Sequence, residues 1–179
     1  MGLGARRPGE GEFVEYYNGQ ARQLRRTAYL LCGDWHLAED LTQTVFTKLF
    51  QSWSRIENRD AVDAYARRTL LRVFLDEKRR PWRREYSTLP GSASLDAVMR
   101  AETPADERAV LRTALLKLPE RRRAVLVFRF WLDLSIEQTA DLLGCSASTV
   151  RSQASRGLND LRRVLGRDLD ELRSTTTEG

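Results

Sequence analysis

Apolar residues recur every three or four positions along most of this chain, which is the spacing of amphipathic helices. From Glu12 to Cys32 the positions Phe13, Tyr16, Tyr17, Leu24, Ala28 and Leu31 predict one such helix, slightly weakened by Gly19 and stopped by Gly33. Asp34 is placed to cap a second helix, Trp35 to Trp53, with Leu37, Leu41, Val45, Leu49 and Trp53 on its stripe. Asp40, Gln43, Thr44, Thr47 and Gln51 fall on a different face. A polar loop, Ser54 to Asp60, leads to a third helix from about Ala61 to Arg80, with Val62, Ala66, Leu70, Val73 and Phe74 inward.

The period then lapses. Tyr86 to Glu102 holds Pro, Gly and several serines and reads as a linker, with one short helical turn around Leu95 to Met99. Thr103 and Pro104 open a further helix that runs through Val110, Leu111, Ala114 and Leu115 to Leu118, where Pro119 breaks it. Glu120 to Leu132 predicts another. The layout is all-α, with two small helical domains at 12–85 and 104–168 joined by a flexible linker at 86–103. Residues 1–11 read as disordered and 169–179 as a polar, frayed tail.

Ser135 to Val164 has the pattern of a helix-turn-helix. Ser135 with Gln138 predicts a capping box for a short helix carrying Ile136, Ala140 and Leu143, which Gly144 ends. Ser146 can cap a second helix with Ala147, Val150, Ala154, Leu158, Leu161 and Leu165 on its apolar side. Ala140 is small where the helices must cross closely, and Val150 fills the space behind. Ser148, Thr149, Arg151, Ser152, Gln153, Ser155, Arg156, Asn159 and Arg162 are then free to enter a major groove. As a bare pattern, a helical hairpin with a solvated basic face fits the same residues.

Charge changes this picture in one respect. The chain has 30 basic and 25 acidic residues, and only Lys48, Lys78 and Lys117 among the basic ones are lysine. Arginine offers a planar fork suited to phosphates and guanine edges, although a GC-rich genome also enriches it. Lys78, Arg79, Arg80, Arg83 and Arg84 surround Trp82, a set that can hold phosphates and stack on an unpaired base, or simply favour a helix C-terminus. Cys32, Cys145 and the single His36 make neither a disulfide framework nor a zinc site. The N-terminus lacks an apolar run, Arg6 spoils a myristoylation pattern and no stretch approaches a membrane span, so a cytoplasmic protein without cofactor or metal is expected.

Three blocks together resemble an extracytoplasmic-function (group 4) sigma factor of the sigma-70 family. They are AEDLTQTVFTKLFQSW (Ala38 to Trp53), AYARRTLLRVFLDEKRRPWRRE (Ala64 to Glu85), and the segment from Leu118 through the helix-turn-helix. The first two are versions of the family's region two and the third of region four. Thr44 and the arginine-rich variants are more similar to an actinobacterial SigE-like subgroup.

The resemblance implies a factor that binds core RNA polymerase, recognises promoter -35 and -10 elements and promotes DNA melting and transcription initiation. Asp40, Leu41, Gln43, Thr44 and Phe46 would form an exposed face docking on the clamp helices of the largest polymerase subunit. The flap of the second-largest subunit would receive region four, and an anti-sigma factor is a further partner of such proteins. The loop and third helix, with Tyr65, Arg68, Arg72, Lys78, Arg79, Arg80 and Trp82, would capture and open the -10 element. Ser148, Thr149, Arg151, Ser152, Ser155 and Arg156 would read the -35 element, with Arg162 and Arg163 on phosphates. Thr44, Arg72 and Ser155 depart from residues frequent in the family, and the last two bear on which promoter is read.

A stand-alone helix-turn-helix regulator would explain the second domain but leaves the polar face of the second helix and the Lys78 to Arg84 cluster without a task. A receiver domain would need alternating strands and helices, which the first half lacks. An enzyme would need a carboxylate cluster or a nucleophile–base pair, and neither pattern is present. A pure scaffold would not require a groove-reading helix.

Overall fold

A computed structural model of the chain describes residues 9–56, 59–78 and 105–177, of which 59–60, 78, 105–108 and 167–177 are described by their backbone alone. Seven α-helices make up nearly all of it: α1 (Glu10–Cys32), α2 (Trp35–Ser52), α3 (Arg59–Lys78), α4 (Ala105–Leu116), α5 (Glu120–Leu126), α6 (Ile136–Leu143) and α7 (Ala147–Thr177). No strand occurs among the described residues. The expected turn at Leu95 to Met99 and the cap at Thr103 and Pro104 lie outside them.

The local signals act as their chemistry dictates. Gly33 takes a left-handed φ of 77° and returns its N–H to the Tyr29 carbonyl at 2.7 Å, closing α1. The Asp34 carboxylate accepts the Leu37 N–H at 2.7 Å and opens α2, a cap contributing about 1 kcal/mol. α2 stops at Ser52 and passes into a 3₁₀ turn at Trp53–Arg55.

The helices α1, α2 and α3 pack on one another around large side chains. Ala38, Leu41, Val45, Phe46 and Leu49 from α2 meet Leu24, Ala28 and Leu31 from α1 and Val62, Ala66, Leu70 and Phe74 from α3. Aromatic rings fill one end. Phe13 lies edge-on to Phe50 at 4.9 Å and to Trp53 at 5.2 Å, and Tyr17 to Phe46 at 4.6 Å. Edge-to-face pairs of this kind add about 0.5–1.5 kcal/mol each beyond their area burial.

The second unit uses small residues instead. Val125, Ala140 and Val150 form the crossing of α5, α6 and α7, flanked by Ile136, Leu143 and Ala154. Gly157 lies where an added Cβ would sit 3.2 Å from Leu126, so α7 runs tight against α5. Leu115, Leu118 and Leu126 hold α4 to the same helix, with Leu158 and Leu161.

Two expectations are corrected here. The helix from Glu120 does not run regularly to Leu132: after Leu126 it widens into a π-helical turn, Val127–Trp131, closed by the Leu132 N–H on the Val127 carbonyl at 3.2 Å. The wider turn shifts the register, so Phe128 is buried while Phe130 and Trp131 are exposed. In addition, α7 continues to Thr177, into the stretch at 169–179 expected as a frayed tail. Leu169 and Leu172, three apart and without an intervening proline, sustain the helical period there.

The two units touch. Phe128, Val127, Ala124 and Leu134 belong to the same buried cluster as Phe74, Leu70 and Leu31, and α6 packs against α3.

Candidate nucleic-acid interface

The helix-turn-helix is built by caps and a close crossing. Ser135 Oγ accepts the Gln138 N–H at 3.0 Å while Gln138 Oε1 accepts the Ser135 N–H at 2.8 Å, the reciprocal pair of a capping box. Gly144, with φ 62°, turns the chain. Ser146 Oγ accepts the Thr149 N–H at 3.2 Å and lies 2.9 Å and 2.8 Å from the Ser148 and Thr149 hydroxyls. Val150 is fully buried behind α7, and Ala140 faces it. This fixes which side of α7 points outward.

On that side Ser148, Thr149, Arg151, Ser152, Ser155 and Arg156 are all exposed, over the first three turns of the helix. Arg151 approaches Glu137 at 3.8 Å, but both side chains are largely in water, so the ion pair is screened and easily exchanged. The Glu137 carboxyl is held below the usual carboxylate range, first by its own backbone N–H and by Ser135, then by Arg151 and Arg129. Arg162 donates to Asn159 Oδ1 at 3.0 Å, and Arg163 lies 3.8 Å from Asp160. The Asp160 carboxylate also takes Arg122 Nη1 at 2.5 Å, tying α5 to the middle of α7.

In the first unit, Arg68 and Arg72 project from α3 into solvent. Tyr65 is half-buried, its hydroxyl 3.1 Å from Ser52 Oγ at the end of α2. Arg67, in the same stretch, faces Asp63 at 3.5 Å instead, and Asp63 accepts the Tyr16 hydroxyl at 2.8 Å. Burial and the Asp63 carboxylate raise the Tyr16 pKa above its ordinary value, so the phenol stays protonated. The side chain of Lys78 and all of Arg79, Arg80 and Trp82 lie outside the described residues.

The face expected on α2 divides. Asp40, Gln43 and Thr44 are exposed, with Gln43 Nε2 donating to Glu39 Oε1 at 3.0 Å and the Thr44 hydroxyl donating to the Asp40 carbonyl. Leu41 and Phe46 are not on that face: they are 4% and 3% exposed and belong to the core. The reason is periodicity. Leu41, Val45 and Leu49 form one i, i+4 row, and Phe46 turns into the rings of Phe13 and Tyr17. Alternation of polar and apolar residues between 40 and 46 already carried that signal.

Residues 17–84 match the family model for sigma-70 region 2, and residues 108–161 match the model for sigma-70, region 4. The RNA polymerase sigma-E factor of Streptomyces coelicolor is 39% identical over 162 residues, covering 89% of this chain and 89% of its own length. The chain belongs to the sigma-70 family. Its members are the RNA polymerase sigma factors, which recognise promoters and initiate transcription. A sigma-E factor of Streptomyces avermitilis is 36% identical over 89% of this chain and 88% of its own length. In Mycolicibacterium smegmatis the ECF RNA polymerase sigma factor SigE is 34% identical over 88% of this chain and 63% of its own length. The fold also matches the sigma factor RpoE solved in complex with the anti-sigma factor NepR from Bartonella quintana, with a TM-score of 0.71 at 22% identity over 87% of this chain and 97% of that one. CnrH, solved with the cytosolic domain of CnrY, gives 0.63 at 18% identity over 90% of this chain and 92% of that one.

Among the described residues there is no group of His, Cys, Asp and Glu arranged to hold a metal ion, and no helix is long and apolar enough to cross a membrane.

Proposed function

We propose that α7 reads the promoter -35 element through Arg151, Ser152, Ser155 and Arg156, with Ser148 and Thr149 at the groove edge and Arg162 and Arg163 on phosphates. The observation that carries this is the exposed polar face over the first turns of α7, locked outward by the buried Val150. α3 and the loop before it take the -10 element, with Tyr65, Arg68 and Arg72 supported in sequence by Lys78, Arg79, Arg80 and Trp82. Asp40, Gln43 and Thr44 dock on the clamp helices of core polymerase, without Leu41 and Phe46. Region 4 meets the flap of the second-largest subunit, and an anti-sigma factor competes for the free chain, as the partners named with RpoE suggest. The protein acts in the cytoplasm as an initiation factor rather than as an enzyme, in two domains at 12–85 and 104–168.

Transcription reconstituted with core polymerase, followed by start-site mapping, tests the reading. Promoter-specific transcripts that depend on the added chain are expected. A chain that binds duplex DNA but gives no such transcript is a regulator without a sigma subunit's role.

A further inference from the structure

A chain of three side chains ties the exposed face of α2 to α1. Arg25 Nη1 of α1 donates to Glu39 Oε2 at 3.1 Å, and Glu39 Oε1 accepts Gln43 Nε2 at 3.0 Å. Arg25 and Glu39 lie 14 residues apart in sequence, so the packing of the two helices brings them together. Both oxygens of one carboxylate are engaged, one by each helix.

Such a pair contributes little to stability. The Arg25 and Glu39 side chains are 30% and 43% exposed, so water screens the ion pair and the entropy of holding two long side chains opposes it. The effect falls on Gln43 instead. Glu39 sits one helical turn before Gln43, and an ionised carboxylate only accepts hydrogen bonds. The Gln43 amide therefore turns its nitrogen to Glu39. By the geometry of an amide its oxygen then lies on the other side of the group, and the residue is exposed. The reverse orientation would set the Gln43 oxygen against a Glu39 oxygen, two acceptors with no proton between them.

Neighbouring groups add to the same pattern. The Thr44 hydroxyl donates to the Asp40 carbonyl at 2.8 Å, and the Thr47 hydroxyl to the Gln43 carbonyl at 2.9 Å. Both protons are engaged within α2, and the Asp40 carboxylate has none to give. What the face offers a partner is mainly oxygen: Asp40, Gln43 Oε1 and the threonine lone pairs. Such a surface takes donors, and charged donors bind it best. A Gln43 side chain that nothing held would sample several rotamers and both amide orientations, all lost on docking. Ordering one long side chain at an interface weakens binding by about 3- to 10-fold.

We propose that Arg25 and Glu39 are positioning residues for polymerase docking, holding the Gln43 amide with its oxygen outward before the partner arrives. They act through Gln43, and neither has to touch polymerase. The inference rests on the assignment of the Asp40, Gln43 and Thr44 face to core polymerase.

A double-mutant cycle in the full-length chain, read as affinity for core polymerase by fluorescence anisotropy, tests it. Glu39→Ala should weaken binding by about 3- to 10-fold, and Arg25→Ala should act in the same direction by a smaller factor. In a Gln43→Ala background, Glu39→Ala should change the affinity by less than about twofold, because no amide is left to orient. An equal loss in both backgrounds means that Glu39 acts on polymerase by itself, and it overturns the positioning role. If Gln43→Ala alone leaves the affinity unchanged, the docking face is misassigned and the proposal falls with it. A second readout needs no partner. In nitrogen-15 spectra of the free chain, one proton of the Gln43 side-chain amide should be shifted downfield and exchange slowly. Both features should be lost in Glu39→Ala and weakened in Arg25→Ala. A Gln43 amide in the parent chain that exchanges as fast as a fully solvated one overturns the proposal, whatever the binding data show.

Discussion

The two halves of this molecule solve the same packing problem in opposite ways. The α1–α3 unit closes around Phe13, Tyr17, Phe46 and Phe74, large rings that occupy a wide three-helix interior. The α5–α7 unit closes around Val125, Ala140, Val150 and Gly157, which bring helices close together. Large rings supply apolar area and edge-on contacts, and a fully buried side chain of that class contributes about 1.5–3 kcal/mol. Small residues bury less but fix the relative position of two helices. A helix that must enter a groove about 12 Å wide at a set angle needs positional control more than bulk. The first unit is therefore built chiefly for stability, and the second for the presentation of one face.

That contrast can be broken most severely at Val150. Val150→Asp places a carboxylate without a partner in the crossing and should cost at least about 4 kcal/mol, unfolding the α5–α7 unit. Thermal melting followed by circular dichroism should lose much of its helical signal, while binding to core polymerase through α2 persists in part. A variant with an unchanged melt would mean that α7 does not depend on this crossing.

Phe46→Ala should come next, at about 3–5 kcal/mol, because it removes a ring packed against Phe13 and Tyr17. Denaturant titration measures it. A loss of polymerase binding with no loss of stability would return Phe46 to the docking face from which its burial removes it.

The smallest effect on folding belongs to the exposed face of α2. Replacing Asp40 and Gln43 together by alanine should change stability by about 0.5 kcal/mol or less. Retention of core polymerase in a pull-down should nevertheless drop. Equal retention by variant and parent would contradict the assignment of this face.

How much of this was legible beforehand follows from the range of each interaction. Asp34, Ser135 with Gln138, Gly33 and Gly144 act within four residues of themselves, and the helix ends they predict are where the structure has them. The outward face of α7 was legible for a similar reason, since one apolar row at Ala147, Val150 and Ala154, with Val150 fully buried, dictates the rest. Leu41 and Phe46 adjoin the docking face in sequence but not in space, because the helical period and not adjacency decides which side chains share a surface. The π-helical turn at Val127 carries no breaker in sequence: Val-Phe-Arg-Phe-Trp suits an ordinary helix, and packing of Phe128 against α3 and α1 sets the register. The seam between the units depends on contacts between residues some 80 apart, such as Tyr29 with Arg112, which no local pattern encodes.

The central claim is that α7 reads bases with its first turns and meets phosphates further along. Transcription by reconstituted holoenzyme across a library of randomised -35 elements tests it most directly. Arg151→Ala should cost about 1–3 kcal/mol at the preferred sequence and relax the preference at one or two positions, while Arg163→Ala should weaken all sequences alike and lower the salt dependence. If Arg151→Ala lowers output uniformly and leaves the sequence preference intact, Arg151 contacts the backbone and the base-reading account of α7 is wrong.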